Sequence, residues 1–295
     1  MMEKLGNPEQ GVWLREMIER EIGRPVTALM PVEIGGSNAL LSVIWAVHAG
    51  LPVLDADGMG RALPEVQMVS MNVAGTPATP AVAVDEHGRE LVFQDMDAVW
   101  LEHASRAAVV ALGGFFALVD YVLTGAQARR AAIKGSVARA LRIGQVLADA
   151  PRDRIRALLD HLDGRVVITG KVSDIERQTT GGLVRGQALI DGVGADRDRL
   201  VRVEIQNENL VALEEGHVLA SVPDIITLLD TQTGDVIFTD TVRYGQRVTL
   251  VALPSPDIWR TPEGLAVAGP RAFGYDFDYE PLEACLPSSA SEVAL

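Results

Sequence analysis

Residues 51–68 read LPVLDADGMGRALPEVQM. A short apolar run at 51–54 gives way to Asp55, Asp57, Gly58 and Gly60, then to Arg61, Pro64, Glu65 and Gln67. Upstream, residues 26–32 read as a strand and Glu33-Ile34-Gly35-Gly36 as a turn. Ser37 or Asn38 then caps a helix that runs to about Ala49 and is stopped by Gly50. Short connections on both sides of that helix predict a parallel strand–helix–strand unit with a right-handed crossover. Glu33 and Asp55 then sit just past the carboxyl ends of the two strands, at the rim where open α/β sheets bind ligands.

Outward from this unit, Asn7-Pro8-Glu9 opens a helix in which Leu14, Met17 and Ile18 share a face, and Gly23 with Pro25 ends it. Residues 81–85 and 90–94 flank His87-Gly88 as a hairpin. A helix is expected over 96–112, a strand or buried segment over 115–122, a longer helix over 126–148, and a short one from Pro151 to near His161. From 163 to 253 the chain is strand-rich. RVVITGKVSDIERQ, GLVRGQALIDG, LVRVEIQNENLVAL, IITLLD and DVIFTD alternate or run apolar between turns, and residues 230–234 close a hairpin. The expected architecture is α/β: an α/β domain over 1–162, a mainly β barrel- or sandwich-like domain over 163–253, and a segment over 254–295 that packs back at the junction. Its tail at 287–295 is expected to be frayed.

The composition excludes several partners. Lys plus Arg number 26 against 40 Asp plus Glu, a net charge of −14, which nucleic acid and anionic membrane would repel. Cys285 is the sole cysteine, so neither a disulfide framework nor a cysteine zinc cluster can form within the chain. The longest apolar stretch, 107–122, is broken by Gly113, Gly114 and Asp120, short of a membrane span. No signal-peptide core follows Met1, and the cytoplasm is the expected compartment. The histidines form no HxH or HxxxH pair, and Gly-X-Ser-X-Gly is absent.

The candidate chemistry centres on acids. If strand geometry persists through Ala56, Asp55 and Asp57 point to one face, where they could hold a divalent cation or act as general acid or base. The alternative is that both cap a turn in which Gly58 takes a positive φ. Glu33 could join them across the sheet. Gly35 and Gly36 open a helix whose free N–H groups could hold an anion or carbonyl, or merely form a tight turn. Asn38 can both donate to and accept from a planar amide. Arg61 could stabilise developing negative charge or pair with Glu65 four residues on, and Pro64-Glu65 reads as a helix start. Gln67 completes the polar run. In the β-rich part, Gln206, Asn207 and Glu208 could face a cleft between the domains, with Arg271, Tyr275 and Asp276 closing it. Each could equally serve the domain junction.

EIGGSNALL, LPVLDADGMGRALPEVQM, GKVSDIERQTTGGLVRGQ, IQNENLVA, PDIITLLDTQTGD and GPRAFGYDFDYEP together resemble a known family. It is the hydantoinase/oxoprolinase-associated family named for S-methyl thiohydantoin desulfurase. The resemblance spans almost the whole chain. It implies an α/β domain followed by a mainly β domain, and work on small hydantoin- or thiohydantoin-like cyclic amides, by hydrolysis or desulfuration at a ring carbon. Catalysis would fall to Asp55, Asp57 and Arg61, with Glu33 and Asn38 orienting the ring. Alternatively, the chain is a non-catalytic companion of a hydantoinase- or oxoprolinase-type enzyme. Members of the family carry an additional N-terminal segment with a glycine-run turn. Without it the chain reads as truncated, which leaves an inactive product as a further alternative, with apolar surface left open to association, including with copies of itself.

Overall fold

The computed structural model describes residues 6–150, 153–180 and 183–286, so the expected helix start at Pro151 and the tail at 287–295 lie outside the described residues. The chain divides into two compact units, Met1–Ala138 and Arg139–Leu295.

The N-terminal unit opens with α1 (Gln10–Ile22), ended by Gly23 in the left-handed conformation at φ 65. Its apolar face, Leu14, Met17 and Ile18, packs on Val82 and Val84 of β2 (Ala81–Val84) and on Ala117 of β4 (Ala117–Val119). With β3 (Glu90–Phe93) these strands form a small antiparallel sheet in the order β3-β2-β4, so the expected hairpin is present. Helix α2 (Gly36–Ala49) crosses α1 so closely that a Cβ on Gly11 would lie 2.4 Å from Trp45 Cβ. That approach demands glycine.

Helix α2 is oriented against the usual rule. Asn38, Ser42 and Trp45 line a cavity, while Leu40, Val43, Ile44 and Val47 form a stripe at helical spacing that faces outward. Leu40 is 67% exposed and Val47 74%.

The expected parallel strand pair is reduced to a single bridge, Leu29 with Val53. The Leu29 N–H donates to Pro52 O at 3.0 Å and the Leu54 N–H to Leu29 O at 2.9 Å. Pro52 lacks an N–H to extend the ladder. The next strand, β1 (Ala56–Asp57), pairs antiparallel with β5 (Ile133–Lys134) instead. Pro64 starts no helix; the chain turns until α3 (Ser70–Val73). Helix α4 (Ala98–Ala111) is capped by Asp97, whose carboxylate accepts from the Trp100 N–H at 2.8 Å. The single helix expected over 126–148 is instead α5 (Gly125–Ala131), β5, and α6 (Ser136–Asp149).

In the C-terminal unit, α7 (Arg154–Leu162) is followed by an eight-stranded antiparallel sheet. Its strands are β6 (Arg165–Thr180), β7 (Leu183–Gly192), β8 (Leu200–Gln206), β9 (Glu208–Glu214), β10 (His217–Ser221), β11 (Ile225–Asp230), β12 (Val236–Ile237) and β13 (Arg247–Leu253). The order is β10-β9-β8-β7-β6-β13-β11-β12. The outer strands β10 and β12 do not pair, so the sheet is not the closed barrel that the strand spacing also allowed. Ile168, Ile190, Val203, Leu228 and Leu250 are among the fully buried side chains of its core.

Short helices follow, α8 (Pro262–Ala268) and α9 (Leu282–Cys285). They are anchored by Asp224, which is fully buried. Its Oδ1 accepts from the Ser255 N–H at 2.8 Å and from Arg260 at 3.1 Å, and its Oδ2 from the Tyr279 hydroxyl and the Leu282 N–H, both at 3.0 Å. Removing this acceptor leaves buried donors orphaned. We expect Asp224→Ala to lower the stability of the full chain by about 3–5 kcal/mol in chemical denaturation. A change under about 1 kcal/mol would mean the anchor is dispensable.

Candidate functional site

Within the N-terminal unit lies a cavity of about 760 Å³. Its walls include Leu14 and Ile18 of α1, Leu29, Trp45, Phe116 and Val122. Of the residues singled out in the sequence, Asn38, Asp55 and Glu65 line it. Glu33, Gly35, Gly36, Asp57, Arg61 and Gln67 are not among its lining residues.

Asp55 and Asp57 have different tasks. Asp55 is exposed to the cavity, and its Oδ1 accepts from the Ala138 N–H at 3.0 Å, while its own carbonyl accepts from the Gly135 N–H at 2.9 Å. It thereby caps the first turn of α6, where an acid meets the positive helix end. Its Oδ2 makes no hydrogen bond among the described residues.

Asp57 has no solvent exposure. Its Oδ2 accepts from the N–H groups of Ile34, Met59 and Gly60 at 3.1, 3.0 and 2.6 Å. Burial raises its pKa above the ordinary 3.8, and the hydrogen bonds oppose that rise without cancelling it. Its Oδ1 and the nearby Ser136 hydroxyl are both buried and miss hydrogen-bonding geometry, yet the hydroxyl stands close enough to favour the ionised form. The turn is therefore held by Asp57, but Gly60, not Gly58, takes the positive φ, at 68. Gly58 is needed for another reason: a Cβ there would lie 2.7 Å from Met71 Cε and 2.9 Å from Val32 O. The two carboxylates thus serve different backbone segments, and no group of three or more His, Cys, Asp or Glu side chains among the described residues is gathered to hold a metal.

Glu33 is buried and accepts from Asn38 Nδ2 at 2.7 Å, which orients Asn38 and leaves its Oδ1 without a hydrogen bond among the described residues. Arg61 is buried, with Nε donating to the Ala62 carbonyl at 3.0 Å. Glu65 accepts a short hydrogen bond from Gln67 Nε2. The loop carrying Glu65 is stapled to α4, because Glu102 accepts from the Val66 N–H at 3.0 Å and Arg106 donates to Pro64 O at 3.0 Å, while Arg106 also pairs with Glu102.

The remaining candidates belong to the C-terminal unit and do not line this cavity. Asn207, at φ 56, makes the turn between β8 and β9, and its Oδ1 accepts from the Val184 N–H at 2.8 Å. Gln206 is buried beside it, and Glu208 starts β9. Arg271 pairs with Asp276 at 3.0 Å and Asp278 at 2.7 Å on the surface. The Tyr275 ring packs near Phe277, and burial pushes its hydroxyl up to about 12.

Asp120 was missed as a site residue, having been noted only as a break in an apolar run. It follows β4 directly and lines the cavity. Its surface is part-exposed because it borders that space, but protein surrounds it as in an interior, and this burial lifts its carboxyl to about 7. Only its own backbone N–H opposes the rise. The next residue, Tyr121, is held at φ 43, a strained conformation for a bulky side chain, with its N–H on Ala78 O at 3.2 Å and its hydroxyl on Val66 O at 3.3 Å. The readable signal was an acid set within FFALVDYVL, where an unpaired charge is expensive.

The Asp57 turn can be tested through stability. We expect Asp57→Ala to cost about 2–4 kcal/mol in denaturation of the full chain, since three buried or half-buried N–H groups lose their acceptor. Asp57→Asn keeps an oxygen there and should cost far less. Because the folded pKa lies above 3.8, wild type should lose stability relative to Asp57→Asn as pH rises from below that value through the raised one. Parallel pH curves for the two proteins would overturn this account.

No curated protein matches the chain. A crystal structure of a protein from Chromobacterium violaceum is similar to it, with 25% sequence identity and a TM-score of 0.78, covering 94% of this chain and 78% of that one. No helix among the described residues is long and apolar enough to cross a membrane. The S-Me-THD-like N-terminal domain profile matches residues 1–95 and the C-terminal domain profile residues 96–282. Spanned by these two domains, the chain belongs to the S-Me-THD-like family.

Proposed function

We propose that the chain acts on a hydantoin- or thiohydantoin-like ring bound in the N-terminal cavity, by hydrolysis or desulfuration at a ring carbon. The observation that supports this reading is the cavity itself. Its volume suits a small molecule, its walls are largely apolar, and a few polar groups enter it, in keeping with small-molecule sites. Apolar walls suit the faces of a flat ring. Asn38, fixed by Glu33, offers Oδ1 to a ring N–H. Asp55 has one carboxylate oxygen held by the Ala138 N–H and the other open to take a proton from attacking water. The water oxygen bonds to the ring carbon as the leaving sulfur departs and is protonated. Asp57 and Arg61 act in this scheme by holding the loop that carries the site.

The test is release of thiol from an S-methyl thiohydantoin, with the ring product followed by mass spectrometry. Asp55→Asn keeps the oxygen that caps α6 and removes the base. We expect kcat to fall about 100-fold with KM little changed. Unchanged kcat would remove Asp55 from the reaction, and inactive wild type would remove the enzymatic reading.

A second reading, as companion of a hydantoinase- or oxoprolinase-type enzyme, draws support from the outward apolar stripe of α2. Co-purification with such an enzyme, together with no turnover by the chain alone, would favour it.

A further inference from the structure

We propose that Asp120 is the residue that recognises the ligand's amide edge, its carboxyl group making two hydrogen bonds to a ring N–H and the carbonyl or thiocarbonyl beside it. This rests on reading the cavity as a cyclic-amide site. Ring closure forces an amide into the cis form, so that N–H and C=O point the same way along one edge. A carboxylic acid presents the complementary pair, an O–H that donates and a C=O that accepts. An open-chain peptide amide, being trans, cannot offer that edge.

Three observations carry the inference. Asp120 lines the cavity, just beyond the edge strand β4. The chain bends sharply there, with Tyr121 in the left-handed region and tied to Ala78 and Val66. Strain of this kind persists where surrounding structure enforces it, and it collects at ligand sites. Finally, no cationic side chain among the described residues pairs with Asp120. The cations on the cavity wall are Arg15, Arg24, Arg106, Arg129 and Lys134, and the other acids are Asp55, Glu65 and Glu102. None of them offsets the effect of burial on Asp120, and Tyr121 is the titratable neighbour that senses its charge. Burial therefore keeps the carboxyl at about 7, so the acid form that can donate is well populated near neutrality.

The experiment measures binding of hydantoin by ligand-observed NMR to wild type, Asp120→Asn and Asp120→Ala, with 1,3-dimethylhydantoin, which lacks the N–H, as control. For wild type, affinity should fall about tenfold between about pH 6 and about pH 8, as the donor proton is lost. Asparagine also offers a donor beside an acceptor, so Asp120→Asn should bind with little pH dependence. Asp120→Ala should bind at least about tenfold more weakly at the lower pH. The dimethyl compound should not compete. If hydantoin binds wild type and both variants alike, Asp120 is not the recognising group, and the cavity reading stands without it. Affinity that rises with pH would mean that the ionised carboxylate, accepting from the ring N–H alone, is the binding form, and would overturn the proposal. No binding to wild type would end both this inference and the cyclic-amide reading. Should Asp120→Ala fail to fold, the contrast in pH profile between wild type and Asp120→Asn decides the matter.

Discussion

The N-terminal unit is organised around a carboxylate with no access to water. One oxygen of Asp57 gathers the N–H groups of Ile34, Met59 and Gly60, joining the turn before α2 to the turn after β1. Gly58 adds a hydrogen bond to Val32 O at 2.9 Å and accepts one from Ser70 N at 2.7 Å. Asp55 stands apart, ahead of β1 and tied to Gly135 and Ala138, but the other polar groups hang from these two turns. Asn38 extends from the first through α2, whereas Arg61 and Glu65 follow the second. Desolvation of a charge is costly, and here hydrogen bonding offsets only part of it. The fold accepts that cost where two connections must be kept in fixed register.

The same reasoning separates three acids that a sequence presents as alike. Asp57 is enclosed and hydrogen-bonded to backbone, Asp55 is open and caps a helix, and Asp120 borders a cavity with little to oppose its burial. Burial alone does not make a carboxyl available. What differs is how many of its lone pairs the protein already occupies. A buried acid tied to several backbone N–H groups holds structure, whereas one beside a cavity with fewer such ties has capacity left for a ligand.

Much of the local structure was legible. Gly23 and Gly50 marked helix ends because left-handed geometry restricts the residue types allowed, whereas Asn7 lies ahead of α1, accepting from the Glu9 N–H, and Glu9 holds the N-cap position. The hairpin around His87-Gly88 and the strand IITLLD followed from alternation and turn chemistry. Errors arose where distant chain decided the outcome. LVRVEIQNENLVAL looks continuous, but Asn207 reverses the chain inside it. Residues 126–148 have helical spacing, but Ile133 and Lys134 are drawn into pairing with β1. The polar run at 55–67 divides between Asp55 and Glu65, which line the cavity, and Asp57, Arg61 and Gln67, which do not. Asp120 left only a faint trace, an acid inside an apolar run, because its setting comes from tertiary enclosure.

Helix α2 turns Asn38 and Ser42 toward the cavity and leaves Leu40, Val43, Ile44 and Val47 hydrated. Leu40 and Val47 stay mostly hydrated in the native state, and Val43 and Ile44 partly so, which trims what this face adds to the heat capacity of unfolding. Undocking this helix therefore uncovers less new apolar surface than its composition suggests. That lowers the hydrophobic barrier to local opening of α2 and favours amide hydrogen exchange there.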